Sequence, residues 1–260
     1  MSHMPSTMYP YIDEILDRLL SEIKEVLGAK LLGLYLYGSL VSGDFDHDTS
    51  DLDMLAVIAS DLDEKEAADL KQMHEDLARQ NPKWEDRIEV QYFSAEGLET
   101  FRTQSSKMGN ISPGEPFHII HSGIEWLLNW YFVRENDVIL FGPSSHQFIA
   151  PISKEDYMQA VHDLAQTWTE RVKNTKTSWL GQSYAILTLC RALYSSANGE
   201  QVSKKKAAEW TAQQSPEWAS LIQNALLWRK HWEPEQSSPE ATYPETERFV
   251  NFAIGQILGI

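Results

Sequence analysis

The segment Leu31–Ile58, LLGLYLYGSLVSGDFDHDTSDLDMLAVI, restricts the fold more than any other part of the chain. Leu31 to Tyr37 is an apolar run of strand length that stops at a Gly38-Ser39 turn. A polar, aspartate-rich loop follows. Asp51-Leu52-Asp53 then opens a second apolar run ending at Ile58. Side chains alternate along a strand, so Asp51 and Asp53 share one face about 7 Å apart, and Leu52 and Met54 face a core. Two carboxylates so placed suit Mg²⁺, a hard cation that takes one or two carboxylates together with phosphate oxygens. Gly38 and Ser39 would offer backbone amides and a hydroxyl to the phosphates of a nucleotide. Ser50, just ahead of the first acid, is grouped with them as a nucleotide-facing residue.

The surroundings of this unit read as further strands and helices. Pro10 to Leu27 is an amphipathic helix, with Ile12, Ile15, Leu16, Leu19, Leu20, Ile23, Val26 and Leu27 at i, i+3, i+4 spacing and Gly28 as its stop. Asp63 to Gln80 is a polar helix with Leu70, Met73 and Leu77 as its inner stripe, ended by Asn81-Pro82. Arg87 to Phe93 alternates as a third strand: Ile88, Val90 and Tyr92 take one face, Glu89 and Gln91 the other. Glu89 is the only acid inside this run. Arg102 to Glu115 has the composition of a loop, Ile119 to Arg134 that of a helix, and Asp137 to Phe141 that of a short edge strand.

Composition changes near residues 145–153, and the rest of the chain reads as helices over Lys154–Lys173, Trp179–Ala197, Ser203–Gln213, Glu217–His231 and Glu245–Leu258. Pro244 suits the start of the last one, and Glu233 to Thr242 reads as a loop. In Trp179–Ala197 the residues Ala185, Ile186, Leu189, Cys190, Ala192 and Leu193 demand burial, beside a polar line of Thr188, Arg191 and Ser195. An arginine there needs a partner, because an unpaired buried charge is costly. A structural salt bridge and a bound triphosphate both satisfy it. Ser203 is a strong N-cap for a helix that opens on Lys204, Lys205 and Lys206. Cations in a first turn oppose the helix dipole, and a bound phosphate would relieve that conflict. A solvated lysine run is the alternative.

A net charge of −16 argues against a duplex nucleic-acid partner, which needs clustered Lys and Arg, and it suits a cationic small molecule. With Cys190 as the only cysteine there is no internal disulfide and no cysteine metal site. No apolar run reaches membrane-spanning length and no signal peptide is visible, so a cytoplasmic enzyme without a membrane partner is expected. The opening Met1-Ser2-His3-Met4 reads as a cloning remnant.

Gly38-Ser39, eleven residues, then Asp51-x-Asp53 resembles the GS…DxD motif of nucleotidyltransferases with the DNA polymerase β-like fold. The run Leu187 to Trp210, LTLCRALYSSANGEQVSKKKAAEW, resembles the helical domain of the streptomycin/spectinomycin (aminoglycoside 3″/9) adenylyltransferases. The resemblance implies an α+β chain. Residues 1–150 would form a nucleotidyltransferase domain with a small mixed sheet flanked by helices, and 151–260 an all-α bundle closing over nucleotide and acceptor. It implies a third carboxylate on the third strand, which here is Glu89, as metal ligand, general base or both. Asp51, Asp53 and Glu89 are then the catalytic, metal-holding acids. Gly38, Ser39, Ser50, Arg191 and Lys204 are the ATP-binding set. The implied reaction is Mg²⁺-dependent transfer of AMP from ATP to a hydroxyl of an aminoglycoside-like antibiotic, a cationic, sugar-like acceptor, by a monomer. The same transfer to another hydroxylated metabolite or a protein is the alternative, and a non-catalytic nucleotide-binding module the second. Two acceptor features of that family lack counterparts. Leu180-Gly181-Gln182-Ser183-Tyr184 carries no acid, and no Gly-Glu-Trp segment lies between Arg102 and His121.

Overall fold

The computed structural model describes residues 7–230 and 237–260, which form two compact units. The first holds the described residues through Val41 together with Ser50–Pro151; the second holds Ser42–Thr49 and Ile152–Ile260.

The first unit is built on a six-stranded mixed sheet: β1 (Leu31–Tyr37), β2 (Leu52–Ile58), β3 (Ile88–Ser94), β4 (Ser106–Ser112), β5 (Glu115–Ser122) and β6 (Val138–Phe141), in the order β5-β4-β3-β2-β1-β6. Only β2 and β3 run parallel. Parallel neighbours need a crossover, and α3 (Glu64–Gln80) supplies it. A capping box fixes its start: Asp63 Oδ1 accepts from the Glu66 amide and Glu66 Oε2 accepts from the Asp63 amide, both at 2.8 Å. Helix α1 (Pro10–Leu27) buries its expected apolar stripe, except Val26, and stops at Gly28, whose φ is +53°. Helix α3 covers the sheet face that carries Val90 and Tyr92, with buried His74 Nε2 2.8 Å from the Tyr92 hydroxyl. On the opposite face α5 (Leu127–Asn136) packs with Trp130 stacked on Phe93. Two short helices complete the unit's connections, α2 (Gly38–Ser42) after β1 and α4 (Ala95–Thr100) after β3.

Two expectations are corrected here. Of Arg102 to Glu115, only residues 102–105 and the 113–114 turn are loop, and the helix does not begin at Ile119. Instead β4 and β5 form a hairpin turning at Pro113-Gly114, and α5 starts at Leu127. The residues that looked loop-like are used for close packing. A Cβ on Gly109 would press on Leu62 and Phe117, and Asn110 is buried in a polar network. β5 is an edge strand with mostly exposed side chains, so its inward periodicity is weak.

In the second unit, α7 (Trp179–Asn198) is the central element, wrapped by α6 (Lys154–Arg171), α8 (Lys204–Gln214), α9 (Ala219–Trp228) and α10 (Pro239–Leu258). Ser153, Ser178 and Ser203 each cap a helix by accepting an amide three residues on. Helix α10 starts five residues before the expected proline. Pro239 takes the first position, and Pro244 lies inside the helix. Buried Gln182 holds that first stretch, donating to the Pro239 carbonyl at 2.7 Å and accepting from Thr242 and Thr246 at 2.8 Å. Tertiary hydrogen bonding thus overrides the proline signal. Residues 239–242 of the expected loop are therefore helical; residues 233–236 of it, and His231, lie outside the described residues. Among the described residues no helix is long and apolar enough to cross a membrane.

Candidate active site

Strand register assembles one row of side chains on one face of the sheet. Tyr37 of β1 lies opposite Asp53 of β2, and Asp53 lies beside Glu89 of β3. Asp51 precedes the strand by one residue and keeps the side of Asp53. Asp51, Asp53 and Glu89, all half-buried, each bring one carboxylate oxygen within 4.8 Å of the others. Oxygens around one octahedral Mg²⁺ are about 3 to 4.2 Å apart for bonds of about 2.1 Å, so this donor set fits a hard divalent cation after small side-chain shifts.

Gly38 makes the row possible. Its φ is +72°, and a Cβ there would fall 2.5 Å from the Asp53 carboxyl carbon and nearer still to Oδ2. The position needs glycine for conformation and for space alike. Ser39 follows it on α2. Ser50, grouped with the nucleotide-facing residues above, is fully buried. What it offers is a carbonyl, which accepts from both Nε (2.9 Å) and Nη2 of Arg87. Leu52 in turn donates its amide to the Arg87 carbonyl at 2.9 Å. This clasp fixes the backbone on both sides of Asp51.

Glu89 sits in a polar network that strand periodicity alone does not reveal. The Tyr37 hydroxyl lies 2.9 Å from Glu89 Oε1 and 2.5 Å from Gln91 Oε1. Gln91 Nε2 donates to Glu89 Oε1 and to Asn110 Oδ1, each at 3.1 Å. Tyr37 is held well above its ordinary pKa, first by burial and then by the charges of Glu89 and Asp53. It therefore keeps its proton as a donor. The sequence signal for Tyr37 is its place: the residue just before the Gly38 turn pairs with the strand that starts at the acids.

Arg191 and Lys204 belong to the second unit. Arg191 is half-buried on α7, and its polar neighbours Thr188 and Ser195 are buried, Ser195 accepting from Tyr157 at 2.8 Å. Lys204 opens α8 with its ammonium 5.0 Å from the Tyr184 ring centroid. The first-turn conflict expected at Lys204–Lys206 is met within the chain. Asp44 accepts the Lys205 amide at 3.1 Å and lies 3.8 Å from Arg229. Asp46 of the same segment pairs with Lys230 at 2.5 Å, and that hydrogen bond is the chief reason its pKa falls to about 2. Gln182, where the resembled family carries an acid nearby, is buried and spent on α10, and Ser183 donates to the Ala225 carbonyl at 2.7 Å. In this short segment the exposed large side chains are Leu180 and Tyr184.

Comparison with known proteins agrees with this architecture. Residues 16–106 match the nucleotidyltransferase domain, and residues 147–256 match the C-terminal domain of aminoglycoside adenylyltransferase. An aminoglycoside (3″)(9) adenylyltransferase of Klebsiella pneumoniae is 24% identical over 94% of this chain and 97% of its own length. One from Rhizobium radiobacter is 27% identical over 48% of this chain, spanning 45% of that protein. The crystal structure of spectinomycin adenyltransferase AAD(9) from Enterococcus faecialis with ATP and spectinomycin superposes with a TM-score of 0.75. It covers 95% of this chain and 99% of that one at 17% identity, a likeness of fold.

Proposed function

We propose that this chain, a nucleotidyltransferase carrying the C-terminal domain of the aminoglycoside adenylyltransferases, transfers AMP from ATP to a hydroxyl of an aminoglycoside or aminocyclitol antibiotic in a Mg²⁺-dependent reaction. The observation that carries the reading is the convergence of Asp51, Asp53 and Glu89 beside Gly38. A module that only bound nucleotide would have no use for three carboxylates gathered against the charge of a triphosphate. The relatives' names support the acceptor class.

Asp51, Asp53 and Glu89 would hold Mg²⁺, which when bound neutralises phosphate charge and polarises the phosphoryl centre. Glu89 is the candidate base. It takes the proton of the acceptor hydroxyl as that oxygen bonds to the α-phosphorus, and the bond from the α-phosphorus to the bridging oxygen breaks with loss of pyrophosphate. Gly38 and the Ser39 hydroxyl seat phosphate oxygens. Arg191 and Lys204 supply cations for the triphosphate, so Lys204 would exchange its place over Tyr184 for a phosphate. Catalysis by such a set is positioning and charge stabilisation. The test is incubation with Mg-ATP and a panel including spectinomycin and streptomycin, reading AMP-sized mass gain on the drug. A chain that releases no pyrophosphate with any hydroxylated acceptor is not this enzyme.

One observation favours a second acceptor reading. Gln182 and Ser183 are buried inside the bundle, so this segment offers no carboxylate to a cationic drug. Mass gain on a neutral hydroxylated metabolite, with none on the antibiotics, would select it.

A further inference from the structure

We propose that Tyr37 and Gln91 are positioning residues for Glu89, fixing the carboxylate plane by anchoring one of its two oxygens; the assignment rests on the nucleotidyl-transfer reading. A glutamate side chain turns about three bonds, and its terminal torsion is soft. A lone strand glutamate would therefore present its oxygens over a wide arc. Here the Tyr37 hydroxyl from β1, whose single proton is shared between Glu89 Oε1 at 2.9 Å and Gln91 Oε1 at 2.5 Å, and the Gln91 amide nitrogen from the same strand as Glu89, at 3.1 Å, both reach Glu89 Oε1. With Oε1 located, carboxylate geometry sets the direction of Oε2.

The anchors are themselves anchored. The Gln91 amide can sit only one way round. Its nitrogen faces two oxygens, Glu89 Oε1 and Asn110 Oδ1, and its own oxygen faces the Tyr37 hydroxyl. Gln91 is fully buried and Asn110 nearly so. Two elements, β1 and β3, thus reach one carboxylate oxygen, and β4 holds the Gln91 amide in turn. An aligned, buried amide of this kind is an expensive way to stabilise a sheet, since an apolar residue would pack there with no polar group to satisfy. Its presence beside Glu89 points to orientation of that group as its use.

Tyr35 supplies the control. It lies two residues along the same strand, is equally buried, and its hydroxyl donates to the Pro143 carbonyl at 2.8 Å, away from Glu89. The experiment compares the full chain with its Tyr37→Phe, Gln91→Leu and Tyr35→Phe variants by three readouts. These are Mn²⁺ binding by electron paramagnetic resonance with a non-hydrolysable ATP analogue, steady-state kcat and KM for Mg-ATP, and thermal melting. Groups that orient a metal-ligating carboxylate typically change metal affinity or activity by about 10- to 100-fold when removed. Tyr37→Phe is expected to weaken Mn²⁺ binding and lower kcat by about that factor, with KM for ATP within about threefold. Tyr35→Phe is expected to lower the melting temperature and leave the Mn²⁺ isotherm in place. Gln91→Leu carries the larger folding cost, so Tyr37→Phe decides. Mn²⁺ binding and kcat within twofold of the parent in Tyr37→Phe, or equal losses in Tyr35→Phe, would overturn the assignment. A parent chain that binds no Mn²⁺ would overturn the nucleotidyl-transfer reading and this assignment together, a result distinct from variants that bind as the parent does.

Discussion

Replacing Gly38 with alanine tests the geometry of the acidic row with the smallest possible change. Two effects act, and they separate. An L-residue held at φ +72° costs about 1–2 kcal/mol of backbone strain. The reduced freedom of the unfolded chain returns about 0.4–1 kcal/mol. Stability should therefore fall by only about 1 kcal/mol, a shift of a few degrees in melting temperature for a unit of this size. The site pays more. The new methyl would lie 2.5 Å from the Asp53 carboxyl carbon, whereas carbon atoms rest about 3.5–4.0 Å apart. The carboxylate must retreat by about 1 Å, and a misplacement of that size costs on the order of 10²-fold in rate. Release of labelled pyrophosphate from γ-labelled ATP in the presence of acceptor, run beside thermal melts, measures both. The expected result is a loss of about 100-fold in kcat with a melting shift under about 5 °C. A Gly38→Ala chain that melts like the parent and turns over within threefold of it would show that Gly38 and Asp53 do not meet as described.

The remaining predictions are shorter. The double variant Asp51→Asn, Asp53→Asn should lose transfer and Mn²⁺ binding while staying folded by circular dichroism; transfer at the parent rate would remove the metal assignment. Chelation of divalent cations should abolish pyrophosphate release, and added Mg²⁺ should restore it, in a stopped assay with and without excess chelator. Burial lowers the pKa of His74 to about 3 from an ordinary 6.5. The unfolded chain therefore binds a proton between those values that the folded chain refuses, and stability falls as pH drops below 6.5, by at most about 1.4 kcal/mol per unit. His74→Gln should flatten that dependence by about 2 kcal/mol between pH 7 and 5 in urea midpoints; an unchanged slope refutes it. Gln182→Glu, which places an acid where the resembled family carries one nearby, should destabilise the second unit by roughly 2–4 kcal/mol. The change would set a carboxylate against the Pro239 and Thr175 carbonyls. A variant as stable as the parent would mean that Gln182 is not the clamp on α10.

What could be read from the sequence follows from how local each signal is. The strands that flank Gly38 and Asp53 announce themselves because their apolar runs are bounded by a turn and by acids, and both are buried almost continuously, as unbroken apolar runs of strand length require. Glu89 could be picked because no other acid shares its run. The hairpin of β4 and β5 could not. Gly109 and Asn110 mark loops when read along the chain, yet in the fold one makes room for Leu62 and Phe117 and the other completes a hydrogen-bonded chain to Gln91. Pro244 misled for a related reason: the helix that contains it is held by Gln182, sixty-two residues earlier in the chain, and no local rule knows of that partner.

The same division explains why the acids are easier to read than the groups that hold them. Acids are chemically conspicuous, and few side chains can do their work. The groups that aim them are ordinary in type and acquire meaning only from strand register. Tyr37 looks like the last apolar residue of β1 until pairing sets it opposite Asp53, and Gln91 looks like a solvated strand residue until burial leaves its amide one possible orientation. A polar side chain that alternates onto the same strand face as a candidate acid, two residues away, is thus worth reading as a possible anchor for it. That rule can be stated from sequence alone, and the Mn²⁺ isotherms of Tyr37→Phe and Tyr35→Phe decide whether it holds in this chain.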